Sequence, residues 1–151
     1  MKKIGEYLQK LRDAMVRDPL PPEDVAAGWA LGMFIGCAIP FGLQLLVSIP
    51  LAVMMRVSKI GATVGTLITN PVTIFFIYPA QTWVVYNLVF GDRPMGELPE
   101  EWTFEAVMAL SGPVVISFFL GGLLLALVLS PLTYFAVKRI VINFRRRRGR
   151  L

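Results

Sequence analysis

The sequence predicts an all-α integral membrane protein in which proline-broken, partly re-entrant helices make two or three full spans behind an amphipathic helix. Three observations predict it. Hydrophobic residues make up 56% of the 151 and mean hydropathy is +0.65, against roughly 45–50% apolar usage in soluble domains. The excess is concentrated in three stretches without a formal charge, Val25–Met55, Ile60–Phe90 and Ala106–Val137, each longer than the about 20 residues that cross a bilayer. The ten carboxylates all fall before Val25 or between Asp92 and Glu105. A soluble chain of this size would lack the polar positions to wet the outside of such helices.

Residues 1–20 read as an amphipathic helix. Ile4, Leu8, Leu11 and Met15 share one face at helical spacing, and Lys3, Lys10, Asp13 and Arg17 lie elsewhere. The segment is too charged to span and has no apolar core of the kind a signal peptide needs. It suits either the plane of the membrane interface or the cytoplasmic side of the bundle. Pro21 and Pro22 end it, and Pro22 with Glu23 and Asp24 suits a new helix start.

The membrane domain, residues 21–141, then has three parts. In the first, residues 25–55, Gly28, Gly32 and Gly36 repeat at four-residue spacing, which puts them on one helix face and lets another backbone approach closely. Pro40 and Gly42 follow and break the helix, since proline lacks an N–H and glycine permits a tight turn. Residues 60–90 repeat the plan as a broken span. Gly61 and Gly65 lie on one face with Thr69 and Thr73, and the break is at Asn70-Pro71, where Asn suits an N-cap and Pro the first helical position. Residues 106–137 form the last span, with Ser111-Gly112-Pro113 near its start and Ser130-Pro131 near its end. Residues 142–151 are a basic cytoplasmic tail.

Charge sets the expected topology. Crossing once per stretch would put Arg56, Lys59 and the Arg-rich tail outside and the acidic loop inside, against the preference for basic residues in the cytoplasm. A hairpin over residues 25–55, each arm about 21 Å long, returns Arg56 and Lys59 to the side of the N-terminus. The acidic loop is then outside and both termini are cytoplasmic. A re-entrant turn leaves backbone groups unpaired, which is tolerated only where protein or a wet cavity covers it. The two breaks are therefore expected to face each other or a partner subunit.

No Asp, Glu, His, Lys or Arg lies within the stretches, and the chain has no His and one Cys, Cys37. No acid, base, activated nucleophile or metal set is available, so neither an enzyme nor a metal or cofactor site is expected. A proton relay is disfavoured for the same reason. The net charge of +5 sits at the ends, in Lys2, Lys3, Lys10, Arg12 and Arg17 and again from Lys138 to Arg150. Beside a span it marks contact with anionic lipid headgroups, not nucleic acid.

What remains is an uncharged polar set, Gln44, Thr66, Thr69, Asn70 and Thr73, with Arg56 at its edge. A half-helix starting at Asn70-Pro71 directs free N–H groups inward, which favours a phosphate or carboxylate. The candidate ligand residues are thus Asn70, Thr73, Gln44, Thr69 and Arg56. The same residues also suit self-capping, with Asn70 and Thr73 capping their own helix and Gln44 bridging the break. Two functions stay open: binding or translocation of an anionic lipid or small anion at the broken helices, or a non-transporting assembly module, possible as a homo-oligomer. The first predicts a wet polar cavity at Gln44 and Asn70; the second predicts those groups sealed by protein hydrogen bonds.

In order along the chain stand Pro21-Pro22-Glu23, the glycine run from Gly28 to Gly36, the turn from Pro40 to Gln44, Arg56, the string from Gly65 to Thr73 and Tyr78. This order resembles the bacterial membrane family called domain of unknown function 2062, from about Pro21 to the end of the third stretch. The family often shows Asn soon after the Arg; here Ser58-Lys59 stands there. The resemblance implies a bacterial inner-membrane protein of unassigned activity. Some relatives carry such a region fused to glycosyltransferase-like domains, which implies a link to envelope glycolipid or polysaccharide synthesis.

Overall fold

The structure, a computed structural model, describes residues 5–6, 9–10, 13, 17–67, 71–91, 96–100 and 102–147. At the N-terminus, Glu6, Gln9, Lys10, Asp13 and Arg17 are helical, with an exposed Arg17–Asp13 ion pair of 3.5 Å. The apolar positions expected to define that helix's face, Ile4, Leu8, Leu11 and Met15, lie outside the described residues.

Helix α1 spans Pro22–Ala38, 17 residues with Glu23 and Asp24 in its first turn. It is about 26 Å long, longer than the arm expected from the sequence. It ends at an extended Ile39. The chain turns through Phe41 to Leu43, with Gly42 at φ 101°, and helix α2 runs Gln44–Met54. Ala52 of α2 packs with Ala27 and Leu31 of α1, so α2 returns antiparallel to α1. At the end of α2, Arg56 takes φ 57°, the left-handed conformation usual for glycine after a helix.

Helix α3, Lys59–Leu67, runs parallel to α1. A Cβ on Gly28 would strike the Ser58 carbonyl, and one on Gly32 the Ala62 carbonyl. A Cβ on Gly65 would meet the Trp29 carbonyl at 2.6 Å and Gly32 Cα at 2.9 Å, and Gly61 leaves room for the Trp29 ring. The two glycine faces read from the sequence therefore meet each other, backbone on backbone. Trp29, buried behind them, joins Val25, Ala26, Val137 and Val141 in one core cluster.

Helix α4 spans Pro71–Phe90 and a short α5 spans Phe104–Met108, with Thr103 Oγ1 accepting from the Ala106 N–H. Helix α6 then runs Gly112–Arg147 without ending at Pro131. The start of the third apolar stretch thus belongs to α5 and its following turn, and α6 carries on through Lys138 into the basic residues as far as Arg147. Helix α6 is antiparallel to α1 along its length. Cys37 faces Gly122, Ser130 Oγ donates to the Ala30 carbonyl at 2.8 Å, and Lys138 pairs with Glu23 at 3.2 Å.

Residues 72–90 and 112–147 are long and apolar enough to cross a membrane, and 33% of the most apolar window of each is buried. The rest faces outward: Phe76 is 68% exposed, Leu88 79% and Leu132 61%. Core helices of soluble bundles bury such faces, so the two suggest membrane association.

Candidate functional site

The turn after α1 has a defined chemical problem. The Gly36 carbonyl would take its helical hydrogen bond from the N–H of residue 40, and residue 40 is proline. Two side chains meet the need. Gln44 Nε2 lies 2.9 Å from the Gly36 oxygen, 3.0 Å from the Ile39 oxygen and 2.9 Å from the Tyr78 hydroxyl. The Tyr78 hydroxyl lies 3.1 Å from the Gly36 oxygen and 3.0 Å from the Ile39 oxygen. Two amide hydrogens and one phenolic hydrogen thus match two carbonyls and one phenolic oxygen.

Tyr78 is held from α4 by aromatic packing. Its ring meets Phe118 of α6 edge-on at 5.0 Å and Trp102 at 5.7 Å. Phe41 at the tip of the α1–α2 hairpin bridges to Thr103, so the end of the acidic loop lies over the turn. Gln44 and Tyr78 are both buried.

Thr66 Oγ1 donates to the Thr63 carbonyl at 2.7 Å within α3. Thr73 is half-buried in the first turn of α4. Thr69 and Asn70 lie outside the described residues. Arg56 follows the C-terminal end of α2, whereas Gln44 starts it; eleven helical residues put about 16 Å between them. Arg56 is therefore no counter-charge for a group held at Gln44. Of the small-residue positions, Gly28, Gly32, Gly61 and Gly65 do the packing expected of them, and Gly36 also offers its carbonyl to the cluster.

A second polar network sits at the opposite end of the hairpin. Ser58 is the N-cap of α3: its Oγ accepts from the Gly61 N–H at 2.7 Å and donates to Asp18 Oδ2. The Ser58 N–H donates to the Asp24 carbonyl at 3.1 Å. Arg145 of α6 donates to the carbonyls of Asp18 at 2.8 Å and Leu20 at 2.9 Å. The chain before α1, the start of α3 and the end of α6 are thereby tied together.

Two open grooves lie on the surface of the described residues. One, of about 590 Å³, lies between α4 and α6, with Gln81 among its walls. Another, of about 450 Å³, lies between α1, the end of α2 and α6. Both are walled almost wholly by apolar side chains.

The profile of a family described as an uncharacterised protein conserved in bacteria (DUF2062) matches residues 5–150. The chain belongs to this family. No curated protein and no solved structure matches it. In this DUF2062 chain, Ser58 fills the cap position of α3, a role that serine suits well. The sequence did not single out Tyr78 as a polar partner, nor Asp18. The proline that orphans the Gly36 carbonyl signals that some donor must come. Which one comes depends on packing 34 residues further on.

Proposed function

We propose that this protein is a non-catalytic, non-transporting multi-pass module of the bacterial inner membrane, serving assembly or scaffolding in envelope glycolipid or polysaccharide synthesis. One observation carries the non-transporting part: the amide and phenol at the proline break are spent on main-chain carbonyls in direct contact. A translocation path through this break would have to open that cluster and leave two carbonyls bare in hydrocarbon, at about 1–3 kcal/mol each. The link to envelope synthesis rests on the family resemblance.

In this reading α1 and α2 enter from the cytoplasmic side and return there, while α4 and α6 cross once each. Charge supports it. Ser58, next to Arg56 and Lys59, is bonded to Asp18, Lys138 to Glu23 and Arg145 to Asp18 and Leu20, so these basic residues share one end. The acidic loop lies toward the hairpin tip, where Thr103 meets Phe41. That is the polarity basic residues favour.

Two measurements test the proposal. Reconstituted vesicles are expected to pass anions and scramble lipid no faster than empty ones. A wild-type rate above that background, abolished by a folded Gln44→Ala variant, would overturn it. In a Cys37→Ala background, Glu100→Cys is expected to react with an impermeant thiol reagent on intact cells, and Arg147→Cys after permeabilisation alone. The reverse pattern rejects the orientation.

A further inference from the structure

We infer that the groove between α1, α2 and α6 is a binding site for one anionic phospholipid, its acyl chain between the helices and its phosphate at Arg56 and Arg139. This is a different place from the proline break. The groove is walled by Ala27, Leu31 and Phe34 of α1, Met55 after α2, and Tyr134 and Phe135 of α6, and is open to the outside, with a volume of about 450 Å³. Ser130, also among its lining residues, has its hydroxyl turned to the Ala30 carbonyl at 2.8 Å. The walls thus offer hydrocarbon, which suits a chain and nothing polar.

Charge complementarity at the mouth decides which lipid. Arg56 directly follows the wall residue Met55, and Arg139 stands one helical turn beyond the wall residue Phe135 on the same face of α6. Both arginines are exposed. Of the two acidic residues in the first turn of α1, Glu23 and Asp24, Glu23 is taken by Lys138 at 3.2 Å, which leaves two arginines against the one charge of Asp24. Arg56 also holds its place against its own backbone preference. Among the described residues it is the non-glycine residue with positive φ, 57°, at a helix end where glycine is the unstrained choice. Strain retained at a cation beside an apolar groove points to a role for the guanidinium, and guanidinium pairs with phosphate through two parallel hydrogen bonds.

The test is native mass spectrometry of the full chain in detergent with phosphatidylglycerol, phosphatidylcholine of the same acyl chains, and glycerol 3-phosphate. Wild type is expected to retain one phosphatidylglycerol in preference to phosphatidylcholine, and not to retain glycerol 3-phosphate. Arg56→Gly combined with Arg139→Gln should lower the preference by about fivefold for each charge removed, from roughly 1 kcal/mol per basic residue near a lipid surface. Arg56→Gly relieves backbone strain, so a loss of lipid cannot come from unfolding at that turn, and a thermal scan checks it. Equal retention of both lipids by wild type sinks the proposal, as does an unchanged preference in the double variant. An equal loss on Arg146→Gln with Arg147→Gln would show a diffuse basic surface instead, and retention of glycerol 3-phosphate would show an anion site without a chain seat. Each outcome leaves the non-transporting reading untouched, because that reading rests on Gln44 and Tyr78.

Discussion

Between α1 and α3 the backbones touch, because Gly28, Gly32, Gly61 and Gly65 interleave and each occupies space a Cβ would need. Between α4 and α6 such an approach occurs where Gly121 meets the Gln81 carbonyl, 2.6 Å from where its Cβ would stand. There the contact is carried by large rings, Tyr78 against Phe118 at 5.0 Å, and a groove of about 590 Å³ is left beside them. Glycine repeats on both helices bring two backbones into contact; a single diglycine and bulky rings leave an apolar groove. The difference matters because the proline break of the hairpin follows α1 of the close pair, while one of the two donors that close it, Tyr78, comes from the looser one.

The largest expected effect follows from the sealed interface. Gly32→Leu drives a side chain into the Ala62 carbonyl and Gly65 Cα, backbone atoms that cannot turn aside. It should cost at least about 3 kcal/mol, the upper range for overpacking, read as lost helicity in an SDS titration. Gly112→Leu, with nothing within 4 Å of its Cβ, should cost far less; equal losses would break the comparison. Gly121→Ala should fall between, since α4 can shift into its groove.

Next comes the polar closure. Gln44→Ala leaves two buried carbonyls dependent on one phenol, for an expected loss of about 1–3 kcal/mol, and Tyr78→Phe should cost less because Gln44 Nε2 still reaches both oxygens. If the two losses add in the double variant, the groups act separately; if they do not, they form one network. Arg56→Gly should gain about 1 kcal/mol by relieving the left-handed backbone, seen as a higher melting temperature.

The smallest effect is at the exposed Glu23–Lys138 pair. A backbone hydrogen bond, and then Lys138, hold the Glu23 carboxyl below its ordinary value of 4.5. The stabilisation is therefore present above that value and lost as pH falls below it. Lys138 is raised above 10.5, first by its hydrogen bond to Glu23, so its share is complete below that value and lost as pH rises through the raised one. Glu23→Gln should match wild type in acid and melt slightly lower near neutrality, and high salt should erase the gap.

Much of this was legible in the chain. Glycines at four-residue spacing announced a close helix pair, because absence of a Cβ is a local property with one main use in an apolar helix. Pro40 and Gly42 announced a turn for an equally local reason. The site was less legible. Gln44 stood out as an amide in an apolar run, but nothing near it indicated Tyr78, and Arg56 looked close to the break in sequence while a helix carries it to the other end. Ser58 and Asp18, 40 residues apart, gave no joint signal.

By itself, the sequence determined that apolar helices form, that the first of them turns at Pro40 and Gly42, and which faces are bare enough to touch, since composition and backbone chemistry act over a few residues. Only the tertiary structure decided which carbonyl is rescued by which donor, which end gathers the arginines and where grooves remain. Those outcomes depend on the register between helices far apart in the chain, and register is settled by the sum of all their contacts at once.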